Sequence, residues 1–495
     1  MNKALLIILD GYGEGEPSKF NAVINAKTPV LDNIKQNSFS LLKTDGESVG
    51  LFDGDMGGSE VGHTTIGAGR VVPSTAKKIQ DEIKNGKFEK NSIIVEMNRN
   101  LKENNADLHL FGLMSDKNIH SNIYHLLKII DLTKNNAKNI FIHFVTDGRD
   151  CGERDSVKYL KILKKHTKNI KNCSILSVSG RFYAMDRENN EANTNAAFNA
   201  MFCANNGIDA GEIETYLYNE HKSGRNDQYV MPTRVKNENF SQITKDDYIF
   251  IFNFREDRIR QIGKKFESLN CNLITMADVG NVNSQVLYPN ENVKNTLSEY
   301  LSKKGLKQIK ISESTKYAHV TYFLNGGEET PFDGEDRIHL KTIPTKDYAL
   351  TPKMRAKDIT KQTIIAMKKG YDAIIVNFSN ADMIGHTGNY EATVRAIEFV
   401  DKCLKKIISN LKKYNYLSLI TADHGNSEKM RDEKGEVHTA HTLNKVFCAI
   451  VGKTCKMKKF GSLQDVAPTF LDLMGLKNSR YFEGESLIVS SVDNT

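Results

Sequence analysis

The chain has 495 residues, 26% of them charged and 39% hydrophobic, with a formal net charge of +7. That length exceeds one ordinary core and predicts two domains, and the small positive balance, spread over scattered lysines, excludes a dedicated nucleic-acid binder while suiting an anionic substrate. Seven cysteines without a CxxC pair exclude a disulfide framework and a zinc finger, and fit reduced thiols of a cytoplasmic protein.

The chain opens with ALLIIL (4–9), a buried strand whose apolar run is too short for a signal peptide and ends at Asp10. Residues 74 to 90, around TAKKIQDEIKNGKF, read as a helix with a charged face. From about 108 to 280 apolar runs alternate with amphipathic ones: LHLFGL, NIYHLLKIIDL, NIFIHFV, SVKYLKILKK, SILSVS, NAAFNAMF and YIFIFNF. This alternation of strand and helix predicts an α/β domain of its own. VKNTLSEYLSKKG then reads as a helix, followed by buried strands at DAIIVNF (372–378) and YLSLIT (416–421). No stretch has the length to cross a bilayer, so we expect a cytoplasmic protein with neither membrane nor nucleic-acid partner.

In open α/β sheets ligands collect beyond the carboxyl ends of the strands, and there the chemistry-bearing residues fall. ALLIIL leads into Asp10-Gly11, AIIVNF towards Asp382 and His386, and LSLIT into Asp423 and His424, with His438 and His441 following. Taken singly, Asp-Gly is a turn and Asp-x-x-x-His a helix cap. Three such motifs after buried strands form a mixed nitrogen and oxygen donor set, better suited to Mn, Zn or Fe than to Mg or Ca.

Ser59, in Gly57-Gly58-Ser59-Glu60-Val61-Gly62-His63, lies where backbone can approach a ligand closely. No Ser-His-Asp order accompanies it, so a metal is the expected activator of its hydroxyl. The middle stretch supplies His120, Arg149, Asp150, Arg181, Arg187, Arg255 and Arg258. A lone arginine is usually a surface ion pair, but this set describes an anion pocket, because the guanidinium fork pairs with carboxylates and phosphates.

In one order, DGYG, MGGSEVGHTTIGAGR, SDKNIHS, DGRD, SGRFYAMDR, NFREDRIRQ, TKYAHVTYFLNGG, NADMIGH, TADHGN and HTAHT resemble the cofactor-independent phosphoglycerate mutases of the alkaline phosphatase superfamily. The resemblance implies two α/β domains, a phosphatase-like metal domain (1–73 and 292–495) with a substrate-binding domain (74–291) inserted. It implies interconversion of 3-phosphoglycerate and 2-phosphoglycerate, in glycolysis and gluconeogenesis, through a phosphoserine at Ser59 and without bisphosphoglycerate. Two Mn²⁺ per chain are implied, with Co²⁺, Fe²⁺ or Zn²⁺ as substitutes. Asp10, Ser59, Asp423 and His424 would hold one ion, and Asp382, His386 and His441 the other. Lys316 would neutralise the phosphoryl group, Asp150 would act as proton acceptor, and His120, Arg149, Asp150, Arg181, Arg187, Arg255 and Arg258 would hold the substrate as a domain closes to exclude water. The family also tends to be monomeric.

The chain departs from the family pattern at Gly58, usually Asn; at Asn122, usually His; and at Glu188 to Glu191, where an Arg-Trp pair is missing. His63 and His438 lie inside the motifs without an expected ligand role. A superfamily phosphatase, phosphodiesterase or phosphopentomutase shares the metal motifs and is separated by the arginine-rich middle. A non-catalytic metabolite sensor would show a broken ligand position, and none is broken.

Overall fold

The computed structural model describes residues 1–36, 38–203 and 206–491. Contacts divide the chain into two compact units, Met1–Ser74 joined with the segment from Glu291 onward, and Thr75–Asn290.

The first unit is built on an eight-stranded sheet. In spatial order its strands are Glu335–Leu340, Gln308–Glu313, Ala373–Phe378, Lys3–Leu9, Tyr416–Thr421, Val446–Val451, Phe39–Lys43 and Phe460–Ser462. The first five are mutually parallel, and Val446–Val451 runs antiparallel to both its neighbours. Central parallel strands are covered on both faces, which is why KALLIIL and AIIVNF are continuous apolar runs. Leu6 pairs with Ile375 on one side and Leu419 on the other, so segments hundreds of residues apart end side by side.

Helices cover this sheet. Tyr390–Tyr414 starts at Asn389, whose side chain accepts from the Ala392 N–H, and stops at Asn415 in the left-handed conformation. Ala396, Ile397, Val400, Leu404, Ile407 and Leu411 form its buried stripe at helical spacing. Each large member contributes about 1.5–3 kcal/mol by leaving water, and Leu404→Ala should cost about 2–5 kcal/mol.

The second unit has a seven-stranded sheet, ordered Thr233–Arg234, Cys173–Gly180, Ile140–Thr146, Leu108–Leu113, Tyr248–Ile251, Asn272–Ala277 and Gln285–Tyr288. All pairs are parallel except the short first one. Leu108–Leu113, first of the parallel strands in the chain, sits in the middle; the next two lie on one side and the last three on the other. The winding therefore reverses between Leu108–Leu113 and Tyr248–Ile251, and such a reversal opens a crevice at the strand ends.

Several elements differ from the sequence reading. The helix expected over 74–90 is Thr75–Lys84, because Gly86 turns the chain at φ +70° before a short 3₁₀ turn at Phe88–Lys90. YIFIFNF stops as a strand at Ile251, and the Phe254 N–H turns to the His120 carbonyl (2.8 Å). The VKNTLSEYLSKKG helix is shorter, Leu297–Lys303, and Thr296 caps it by accepting from the Glu299 N–H. No described helix is long and apolar enough to cross a membrane.

Candidate metal centre and anion site

In the first unit the acid-bearing loops are stitched together by backbone. The Asp382 N–H donates to the Asp10 carbonyl (3.0 Å), and the Gly11 N–H donates to Asp423 Oδ1 (3.3 Å). Gly11 has φ +73°, and a Cβ there would lie 2.7 Å from Asp382 Cα, so glycine alone permits this approach. Asp382 sits on the helix Asn380–Gly385 after its strand, which brings His386 Nε2 within 3.1 Å of its Oδ1.

Ser59 is the first residue of the helix Ser59–Ala68, whose unpaired N–H groups favour an anion. Its Oγ lies 2.9 Å from His424 Nε2 and 3.2 Å from Asp10 Oδ1, and accepts from Lys316 Nζ at 2.5 Å. The same ammonium is 2.6 Å from Asp10 and 2.7 Å from Asp382. Burial pushes the Lys316 pKa down, but Asp10, Asp382 and Asp423 more than reverse this and hold it above the ordinary ammonium value. Against the upward push of burial, Lys316 in turn holds Asp382 well below the carboxylate range.

The histidines are oriented as metal ligands. His386 Nδ1 lies 2.7 Å from the Thr439 carbonyl, His441 Nδ1 2.8 Å from the Gly57 carbonyl and His424 Nδ1 3.3 Å from the Gly425 carbonyl. A carbonyl only accepts, so each Nδ1 carries a proton and Nε2 is the nitrogen left to offer a lone pair to a metal. These lone pairs converge: His386 and His441 Nε2 are 3.2 Å apart, and His441 Nε2 is 3.4 Å from Asp382 Oδ1. Burial opposes charge on His424, yet Asp423 and the other carboxylates raise it to about 9, so the cluster draws a cation to that nitrogen.

Donor atoms of Asp382, His424 and His441 form one group within 4.8 Å, and those of Asp10, His63 and Asp423 another. Asp423 Oδ2 is buried without a hydrogen-bond partner. Facing lone pairs and carboxylates of this kind are stable around a divalent transition metal, and the residues fit one.

Sequence reasoning left His63 without a role and overlooked Asn377. His63 Nδ1 lies 2.9 Å from the Ser59 carbonyl, while Nε2 accepts from Asn377 (3.1 Å), which also donates to Asp10 Oδ2 (2.8 Å). Both imidazole nitrogens are thereby engaged, and His63 supports the backbone at Ser59. The signal for Asn377 was its amide at the end of an otherwise apolar strand, AIIVNF. His438 Nδ1 pairs with the Lys429 carbonyl (3.0 Å).

In the second unit Gly148, at φ +67°, turns the chain after Ile140–Thr146 so that Asp147 Oδ1 accepts from the Arg149 and Asp150 N–H groups. Buried Arg181 bridges Asp147 (2.5 Å) and Asp150 (2.9 Å). Arg149, Arg181, Arg187 and Arg258 line one cavity of about 210 Å³. Burial, then Arg181, Arg187 and Arg149, lower the Arg258 pKa, the mark of a surplus of positive charge. Exposed Arg255 is absent from the cavity wall and reaches Asp257 instead (3.2 Å).

Residues 2–478 match the Metalloenzyme superfamily model. The 2,3-bisphosphoglycerate-independent phosphoglycerate mutase 2 of Methanosarcina acetivorans is 39% identical over 98% of this chain and 97% of its own. The 2,3-bisphosphoglycerate-independent phosphoglycerate mutase of Ehrlichia ruminantium is 40% identical over 99% of both chains. Among solved structures, Leishmania mexicana phosphoglycerate mutase at low cobalt concentration superimposes with a TM-score of 0.66 at 30% identity, covering 98% of this chain and 97% of that one. The chain belongs to the Metalloenzyme superfamily and, within it, to the 2,3-bisphosphoglycerate-independent phosphoglycerate mutases.

Proposed function

We propose that this enzyme interconverts 3-phosphoglycerate and 2-phosphoglycerate through a phosphoserine at Ser59, with Mn²⁺ as resident metal and no bisphosphoglycerate. The observation that carries the reading is the setting of Ser59 Oγ, at a helix N-terminus and in contact with His424, Asp10 and Lys316.

Asp10, Ser59, Asp423 and His424 would hold one ion and Asp382, His386 and His441 the other. When bound, the metal lowers the cost of deprotonating a hydroxyl and neutralises phosphoryl oxygens. The chain's own groups do the rest. Asp10 and His424 orient Ser59 Oγ for in-line attack on phosphorus, and Lys316 and the N–H groups of the Ser59–Ala68 helix receive negative charge spread over the phosphoryl oxygens. Arg149, Arg181, Arg187 and Arg258 pair with the carboxylate of the glycerate released by that step. Held glycerate then presents its other hydroxyl to phospho-Ser59, and Asp150 takes the proton, a contribution of about 10²–10⁴-fold.

The test is a coupled assay of Mn²⁺-loaded protein with 3-phosphoglycerate and no bisphosphoglycerate, alongside an EDTA-treated sample. Formation of 2-phosphoglycerate that is lost with EDTA and restored by Mn²⁺ supports the reading. Release of inorganic phosphate without 2-phosphoglycerate would replace it with a phosphatase.

A further inference from the structure

Asp257 was not among the residues singled out from the sequence, yet it completes a cluster in the second unit. His120 is buried between two carboxylates, with Nδ1 3.6 Å from Asp257 Oδ1 and Nε2 3.8 Å from Asp150 Oδ2. His120 Nδ1, Asp150 Oδ2 and Asp257 Oδ1 are all buried atoms without a hydrogen-bond partner. The loops carrying them flank the reversal in strand order. The His120 carbonyl accepts from the Phe254 N–H, and Asn253 accepts from the Leu113 N–H (2.9 Å), which ties the two sides together.

We propose that Asp257 is a positioning residue that fixes His120 with its proton on Nδ1, so that His120 Nε2 and Asp150 Oδ2 share one exchangeable proton. The proposal rests on the mutase reading. Asp257 is flanked by Arg255 (3.2 Å) and Arg187 (3.8 Å). A carboxylate oxygen facing Nδ1 favours the tautomer with its proton on Nδ1, which leaves the Nε2 lone pair facing Asp150. Asp150 Oδ1 is engaged by Arg181, while Oδ2 stays open. A lone pair opposite a carboxylate oxygen is stabilised by a proton between them, on one group or the other, once the 3.8 Å gap closes. The contacts lie just beyond hydrogen-bond length, as acid and base contacts often do before substrate tightens them.

The remaining charged groups act on both members of the pair. Burial and Asp147 raise Asp150 above the usual carboxylate range, with Arg181 and Arg258 opposing. Burial, Arg181, Arg255 and Arg258 lower His120 to about 4, with Asp257 opposing. Each group thus resists holding its charged form alone.

A mutase needs this arrangement because its proton account must close within one turnover. As the oxygen on C3 leaves phosphorus it takes the shared proton and becomes a hydroxyl. As the C2 hydroxyl attacks phospho-Ser59 it returns one proton to the pair, which ends as it began; the account balances with Ser59 entering and leaving the turnover as the alkoxide that a bound metal would stabilise. The reverse reaction uses the same proton in the opposite order.

The experiment compares Asp257→Ala and Asp257→Asn, measuring kcat and KM for 3-phosphoglycerate and the His120 tautomer by ¹⁵N NMR in labelled full-length protein. Asp257→Ala should lower kcat by roughly 10²-fold with KM within about threefold, and should remove the Nδ1–H tautomer. Asp257→Asn, whose amide oxygen still accepts from Nδ1–H, should recover part of kcat and keep the tautomer. Unchanged kcat, a rise in KM alone, equal losses in both variants, or an unaltered tautomer in Asp257→Ala would overturn the proposal. If the unsubstituted protein made no 2-phosphoglycerate, the mutase reading would fall instead, and the NMR comparison would still decide whether Asp257 fixes His120.

Discussion

The two units place their polar residues at the same position, beyond the carboxyl ends of parallel strands, and give them opposite sign. In the first, Asp10, Asp382 and Asp423 are buried around one ammonium, Lys316. In the second, Arg149, Arg181, Arg187 and Arg258 line a cavity whose acids, Asp147 and Asp150, are bridged by Arg181. The sheet therefore supplies a location, and the sign of the side chains decides what is held there: in the proposed function, cations and a transferring phosphoryl group in one unit, a carboxylate in the other.

The comparison is broken most severely on the acidic side. Lys316→Met leaves three buried carboxylates without their cation, and the loss of a partner from such a cluster costs about 3–5 kcal/mol. Thermal unfolding should show this loss in EDTA and a smaller one with Mn²⁺, because added cations restore the balance. Equal destabilisation in both conditions would show that the acidic cluster does not bind the metal.

On the basic side the expected effect is on partition rather than stability. Arg258→Ala should raise KM for 3-phosphoglycerate by about 10-fold or more, the worth of one charged hydrogen bond. Arg187→Ala should increase inorganic phosphate released per 2-phosphoglycerate formed, because glycerate that escapes leaves phospho-Ser59 to water. A loss of turnover with no change in released phosphate would remove carboxylate retention from the account.

A third effect separates the units by pH. His109, at about 3, and His125, at about 4, are lowered by burial inside the second unit, and His143 is lowered further by burial and His109. Because the unfolded chain binds these protons near pH 6.5 and the folded one does not, stability falls as pH drops from about 6.5 towards 4, by up to about 1.4 kcal/mol per unit for each site. Hydrogen exchange across this range should show Leu108–Leu113 and Ile140–Thr146 losing protection before Lys3–Leu9. The opposite order would contradict the assignment.

Much of this was legible because central parallel strands are largely apolar runs, so Asp10 and Asp423 announced themselves as the first charged residues after such runs. Gln308–Glu313 was not legible. Its sequence, QIKISE, has four polar residues in six, and Lys310 is tolerated inside because Glu335 lies 3.4 Å away on the neighbouring strand and Asn325 Oδ1 accepts from its ammonium. Missing that strand left Lys316, on the helix following it, placed by resemblance alone. The order of strands was equally hidden, since pairing Leu6 with both Ile375 and Leu419 depends on long-range packing that local pattern does not encode. His63, Asn377 and Asp257 escaped for a related reason: each contacts a partner distant in the chain.

The central claim is that Ser59 carries the phosphoryl group between the two oxygens of glycerate. Rapid acid quench during steady turnover of Mn²⁺-loaded enzyme with 3-phosphoglycerate, followed by phosphopeptide mapping, tests it directly. The account predicts phosphate on Ser59 and neither phosphopeptide nor 2-phosphoglycerate from Ser59→Ala. Phosphate on a different residue, or 2-phosphoglycerate formed by Ser59→Ala, would contradict it.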